Sequence, residues 1–302
     1  MPDQTRQSFL QRISKLTRPA TSLRARMRQG FARGTEPVEV KQASPAAPVK
    51  VTRETHAPDG QCLYAIGDIH GRRDLLEKLI DLIEEDTHSL PDDVRPMIVF
   101  LGDYIDRGLQ SRDVIEFLIG ERMSKFERVF LMGNHEEALL RFLEDVSFGK
   151  QWVRYGGAET LYSYGLQPPN TRGSLDSHDA MAAAEQAWGK VWDAFRTRIP
   201  DTHVNFYRNL QHYFIAGDYL FVHAGLRPDV PMENQSIRDM LWIRDEFLDG
   251  TNHFPYLIVH GHTPDDAIFR DNRRIGLDTG AFISGKLSAA KLIGSDVSFI
   301  TT

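Results

Sequence analysis

A layered α/β fold follows from two features of the chain: five short apolar runs that read as buried strands, and apolar residues at helical spacing between several of them. A third feature indicates where function sits, because each run leads into a cluster of Gly with Asp, Asn or His. The first run, Leu63 to Ile66, precedes Gly67-Asp68-Ile69-His70-Gly71. Leu75, Leu76, Leu79, Ile80 and Ile83 then recur as on one helix face, with Asp74 as the expected N-cap. Met97 to Leu101 leads into Gly102-Asp103-Tyr104-Ile105-Asp106-Arg107-Gly108, and Ser111 is placed to cap a helix carrying Val114, Ile115 and Leu118. Val129 to Met132 leads into Gly133-Asn134-His135-Glu136, followed by a stripe of Ala138, Leu139, Phe142, Leu143 and Val146. Glu136 and Glu137 are read as carboxylates favouring that helix's N-terminus. Two further strands, Tyr219 to Val222 and Tyr256 to Val259, lead into His223-Ala224-Gly225 and His260-Gly261-His262-Thr263. Sites in layered α/β proteins form at the carboxyl ends of strands. Five polar clusters at five such ends therefore predict one shared site.

The residue types suit a pair of divalent ions. Carboxylate, amide and imidazole donors accommodate Mn²⁺, Fe or Zn²⁺, and with Cys62 as the single cysteine no thiolate site can be built. Asp103 is the best bridging candidate. Asp68 and His70 would complete one ion's shell; Asn134, His223 and His262 would complete the other's. His135 follows a candidate ligand directly and can serve as general acid, with Asp106 orienting its ring. Arg107 and Arg244 can fork onto phosphate oxygens. His260, two residues before His262, is open between a supporting and a structural role, and an exchange of roles with His262 stays possible on spacing alone.

With these motifs the chain resembles the bacterial phosphoprotein phosphatases within the calcineurin-like metallophosphoesterases, over roughly residues 62–290. Asp106 and Arg107 in the second motif distinguish that family from the wider superfamily. Many wider relatives carry a further histidine ligand two positions after His262, where this chain has Pro264. The resemblance implies an α/β/β/α sandwich of two mixed sheets flanked by helices. It also implies two divalent ions, Mn²⁺ first with Fe or Zn as alternatives, held by Asp68, His70, Asp103, Asn134, His223 and His262. Asp106 with His135 would be the acid dyad, while Arg107, Arg244, Asn134 and His135 would contact phosphate. The expected reaction is hydrolysis of phosphate monoesters on serine or threonine of a phosphorylated protein, by a hydroxide bridging the ions. Symmetrical dinucleoside tetraphosphate hydrolysis, with Trp152 or Tyr155 against the adenine, and phosphotyrosine hydrolysis use the same motifs. Asp278-Thr279-Gly280-Ala281 resembles a loop of bacterial members and is read as a turn.

Charge is unevenly distributed. Residues 1–53 hold 11 Lys/Arg against 3 Asp/Glu, and the remainder holds 25 against 39. Residues 1–55 are read as a basic, disordered segment, with Phe9, Leu10, Ile13 and Leu16 on one face of a short helix. An acidic partner or an anionic membrane surface would suit it, and no motif indicates specific nucleic-acid binding. Residues 56–302 are read as the catalytic domain, with a partly helical insert at about 147–205 forming a lid. No apolar stretch approaches a membrane span. The lone cysteine fits a reducing compartment, so a cytoplasmic location is expected.

Overall fold

The computed structural model describes residues 53–170, 178–251 and 254–302. The basic segment and its expected amphipathic helix lie almost entirely outside the described residues.

Two five-stranded mixed sheets form the centre. The first has the order β10-β9-β1-β2-β3, with β1 at Gln61–Ile66, β2 at Arg95–Phe100, β3 at Glu127–Phe130, β9 at Ser288–Ile293 and β10 at Asp296–Thr301. Strands β1, β2 and β3 run parallel, joined by helices Arg73–Thr87 and Ser111–Ile119, while β9 and β10 close the other edge antiparallel. The second has the order β4-β5-β6-β8-β7, with β4 at Tyr213–Ala216, β5 at Tyr219–Val222, β6 at Leu257–His260, β7 at Phe269–Arg270 and β8 at Arg274–Gly276. Here β5, β6 and β8 are the parallel strands.

Alternation along each strand assigns its side chains to layers. Leu63, Ala65, Val99 and Leu101 meet Tyr219, Phe221, Leu257 and Val259 between the sheets. The intervening Tyr64, Ile66, Ile98 and Phe100 face helices through Leu76, Leu79, Val114, Leu118 and Phe142. Leu220, Val222 and Ile258 pack on Met240, Phe247 and Leu248 on the far side. The result is the α/β/β/α sandwich. Strands buried on both faces explain why their sequences are continuous apolar runs.

Some boundaries move. Asp74 lies within the first helix rather than capping it, and Arg72 takes the cap position while binding the Asp74 carboxylate. Ser111 opens its helix, with Gln110 before it. The third helix ends at Glu144, so Val146 belongs to a separate short turn. Strands β4, β7, β8, β9 and β10 are additions to the sequence reading. Between β3 and β4 the chain is helical at Asn134–Glu144, Gly149–Trp152, Ala158–Ser163, His178–Arg198 and Asp201–Arg208. No helix among the described residues is long and apolar enough to cross a membrane.

Leu63 is fully buried between the sheets, whereas Leu82 is 38% exposed on its helix. Leu63→Ala should cost about 2–5 kcal/mol in denaturant unfolding. Leu82→Ala should stay within about 0.5 kcal/mol.

Candidate active site

Six parallel strands deliver their carboxyl ends to one mouth. In register, Ile66 pairs with Phe100 and Phe100 with Phe130, so the loops carrying Asp68, Asp103 and Asn134 start level. In the second sheet β5, β6 and β8 bring up His223, His262 and Asp278. The backbone is bent sharply here. Of six non-glycine residues with left-handed φ among the described residues, five are His70 (46°), Asp103 (52°), Asp106 (69°), Arg107 (66°) and His262 (65°). Such conformations cost of order 1–3 kcal/mol each and persist where surrounding structure over-determines them.

What holds the Asp103 turn is Glu136. Its fully buried carboxylate accepts from the backbone N–H groups of Gly133 (3.0 Å), Asp103 (2.9 Å), Tyr104 (2.8 Å) and Ile105 (3.3 Å). The sequence reading assigned Glu136 only to the helix terminus. It does cap that helix, and it also clamps the neighbouring loop. The spacing Gly133 to Glu136 signals the cap, but no local pattern reveals the second loop.

The Asp103 carboxylate faces both ways. Oδ2 lies 3.5 Å from His70 Nε2 and Oδ1 lies 3.4 Å from His223 Nε2. His223 Nε2 is in turn 3.0 Å from Asn134 Oδ1 and 3.1 Å from His262 Nδ1, and His262 Nδ1 is 2.8 Å from Asn134 Oδ1. His70 and His223 each direct Nδ1 to a backbone carbonyl, of Ile105 at 2.9 Å and Leu101 at 2.8 Å. That fixes the tautomer and leaves an Nε2 lone pair pointing inward. Lone pairs of His223, Asn134 and Asp103 thus converge with His262 Nδ1, an arrangement that suits a cation. Two donor groups, His70/Asp103/His135 and Asp103/His223/His262, have ligand atoms close enough to hold a metal ion and share Asp103. Asp68 stands 4.0 Å from His70 Nε2 and accepts from the His262 backbone N–H (3.0 Å).

Burial sets the protonation. It pushes His70, His223 and His262 below the ordinary imidazole value, with Arg107 adding to the effect at His70 and Arg244 at His262. Neutral imidazoles are competent metal ligands. Burial pushes the Asp68 carboxyl well up, reinforced by the charges of Asp278 and Asp103. Cations at this mouth would reverse that cost.

His135 and Asp106 meet as expected, with Nδ1 2.7 Å from Asp106 Oδ2. His135 Nε2 turns back toward Asp103 Oδ2 at 3.8 Å. Asp106 is pinned by residues the motifs did not indicate: Trp152 Nε1 donates to Oδ2 (3.0 Å), and the Thr160 hydroxyl donates to Oδ1 (2.6 Å). Both come from the helical region after Asn134. Arg107 donates to His70 Nε2 (3.1 Å) and lies over Phe282, 5.0 Å from its centroid. Arg244 donates to Thr263 Oγ1 (3.2 Å), while neighbouring Glu246 is held by Arg227. His260 turns away from the cluster, its Nε2 3.0 Å from Arg274 Nη1.

Asp278 is buried; one oxygen accepts from Gly280 N–H (2.9 Å) and Oδ2 has no hydrogen-bond partner. The turn reading therefore captures only half of its surroundings.

Two outcomes follow from these contacts. A Cβ at Gly261 would sit 2.0 Å from Asp68 Oδ1, so Gly261→Ala should weaken divalent-metal affinity by about 10–100-fold in metal titration, the range for disturbed ligand support. Burial pushes Asp278 up to about 6 from an ordinary 3.8, so its stabilising contribution is complete below the lower value and lost as pH rises through about 6. In metal-free protein, Asp278→Asn should gain on wild type by up to about 3 kcal/mol between roughly pH 4 and 7 in unfolding titrations.

Comparison with known proteins bears on this geometry. The calcineurin-like phosphoesterase family profile matches residues 63–287. The bis(5'-nucleosyl)-tetraphosphatase PrpE [asymmetrical] of Anoxybacillus flavithermus is 29% identical over 245 residues, covering 75% of this chain and 88% of its own length. The protein of the same name from Bacillus velezensis is 25% identical over 245 residues, covering 74% and 86%. A crystal structure of a candidate diadenosine tetraphosphatase superposes with a TM-score of 0.54 at 20% identity, over 82% of this chain and 98% of that one. With the profile spanning most of the chain and its metal-type residues gathered at one mouth, the chain belongs to the calcineurin-like metallophosphoesterases and is a metal-dependent phosphoester hydrolase.

Proposed function

We propose that the chain hydrolyses the phosphate chain of dinucleoside polyphosphates, using two divalent ions, Mn²⁺ first, held by Asp68, His70, Asp103, Asn134, His223 and His262. The observation that carries the reaction class is the pair of donor groups sharing Asp103, one of which includes His135, the partner of Asp106. The substrate class draws its support from the PrpE relatives, which favour the dinucleotide over the protein phosphoserine or phosphothreonine expected from the motifs.

Bound ions supply an activated water and neutralise charge on the attacked phosphoryl group. The chain's own residues do the rest. Arg107 and Arg244 bind the non-bridging phosphate oxygens and meet the charge that grows on them. Asn134 and His135 contact the same group. Asp106 takes the hydrogen bond from His135 Nδ1 and orients the ring, from which an imidazolium would give its Nε2 proton to the departing oxygen. Trp152 and Thr160 keep Asp106 from turning away.

That acid also supports a second reading. A serine alkoxide needs protonation on departure far more than a nucleotide phosphate does, so an intact His135–Asp106 pair equally suits a protein serine/threonine phosphatase. Turnover of diadenosine tetraphosphate, phosphoserine and phosphothreonine peptides, and a phosphotyrosine peptide with Mn²⁺ decides between them. Preference for the dinucleotide is expected, lost in Asp103→Asn, and ADP or an ATP–AMP pair among the products identifies the bond cut. Preference for the peptides would sink the dinucleotide reading. His135→Asn should lower kcat on a serine monoester by about 10²–10⁴, with a smaller loss on the dinucleotide and metal stoichiometry unchanged. Equal losses on both would contradict its role as leaving-group acid.

A further inference from the structure

An aromatic pair beside the phosphate site takes no part in the chemistry above. Tyr155 lies next to the kink at Gly156 (φ 110°), and Trp242 ends the helix Ile237–Trp242. Their ring centroids are 5.4 Å apart with planes at 56°. Tyr155 is 6.4 Å from the His135 ring, and Trp242 is 6.3 Å from the His262 ring. The pair therefore overlooks both the proposed acid His135 and the proposed metal ligand His262.

Both rings are half-buried, packed on the core along one side. Their polar atoms are committed: Trp242 Nε1 donates to Glu137 (2.7 Å), and the Tyr155 hydroxyl accepts from Gln151. What remains open is π-surface, held rigid. Among the described residues, cations stack on other rings, as Arg107 does on Phe282, and none on Tyr155 or Trp242. Trp242 also lines an open cleft of about 550 Å³ with Ser236, Arg238 and Arg244. Arg244 thus borders both that cleft and the phosphate site.

Rigid aromatic surface within one nucleotide's reach of a phosphate clamp is what stacking of a base requires. We propose that Tyr155 and Trp242 form the platform for one nucleobase of the substrate, with the phosphate chain running from it past Arg244 to the metal-type residues. This rests on the dinucleotide reading and deepens it. Trp152, the other ring considered from sequence, is excluded. It is fully buried, stacked on Phe142 at 4.9 Å, and bound to Asp106.

The test separates base from phosphate. Binding of ADP and of tripolyphosphate to Mn²⁺-loaded full-length protein is measured by calorimetry, alongside KM for diadenosine tetraphosphate. Tyr155→Ala should weaken ADP relative to tripolyphosphate by about 5- to 100-fold, the loss of one base–aromatic stack, and raise KM for the dinucleotide in step. Tyr155→Phe, which keeps the ring and loses only the bond to Gln151, should restore both. Equal weakening of the two ligands, or a phenylalanine variant as impaired as the alanine one, would overturn the platform. Should ADP bind through Tyr155 while only phosphopeptides are cleaved, the platform stands and the function proposed above falls. Should the dinucleotide be cleaved with the ADP ratio unmoved by Tyr155→Ala, the function stands and the platform falls.

Discussion

The turn at Asp103 is the constraint on which the site depends. The Asp103 carboxylate faces two donor groups from a left-handed backbone conformation just after β2, which a non-glycine residue adopts at a cost. Glu136 covers that cost by receiving the N–H groups of Asp103, Tyr104 and Ile105, along with that of Gly133. Because Glu136 sits in the first turn of the next helix, the second and third motif loops are locked together. His70 joins the same unit, its backbone N–H donating to the Asp103 carbonyl (2.8 Å).

The same region concentrates charge against the usual preference of a protein interior. Asp68, Asp103, Asp106, Glu136 and Asp278 are all buried within one mouth. Asp106 and Glu136 are satisfied by hydrogen bonds, and Asp68 accepts from the His262 backbone. Asp278 keeps an oxygen without a partner. Burial favours the neutral forms of Asp68, Glu136 and Asp278 and of His70, His223 and His262, whereas at Asp103 the attraction of the surrounding imidazoles outweighs burial and holds the carboxyl below its ordinary value. An assembly of buried acids and neutral histidines is poorly stabilised alone and well suited to divalent cations, which couples metal binding to the stability of the catalytic mouth.

The helical region after Asn134 reaches into the candidate site as well as forming the periphery. Trp152 and Thr160 fix the carboxylate that orients His135, and the Tyr155 carbonyl faces Arg107 Nε at 3.5 Å. The residues that hold Asp106 are close in sequence to Tyr155, whose ring is 5.4 Å from that of Trp242 on the open cleft. The proposed base platform and the proposed acid pair would therefore draw on one short stretch of chain.

The sequence by itself determined the strands that lead to the site and the residues at their ends. Continuous apolar runs signal strands buried on both faces, and clustered Gly, Asp, Asn and His mark their carboxyl termini, so β1, β2, β3, β5 and β6 were legible with their motifs. The short strands β4, β7 and β8 and the C-terminal hairpin β9–β10 were missed, because their identity depends on neighbours far along the chain. Only the tertiary structure decided which partner each buried polar group finds. Glu136 carries a helix-cap signature, yet its reach to the Asp103 loop is a contact between separate segments. Trp152 reads as a free aromatic but is the hydrogen-bond donor that holds Asp106. Arg244, beside two acidic residues in sequence, turns instead toward Thr263. Local patterns record periodicity and backbone freedom; hydrogen-bond partners across tens of residues are chosen by packing, which no window of the sequence contains.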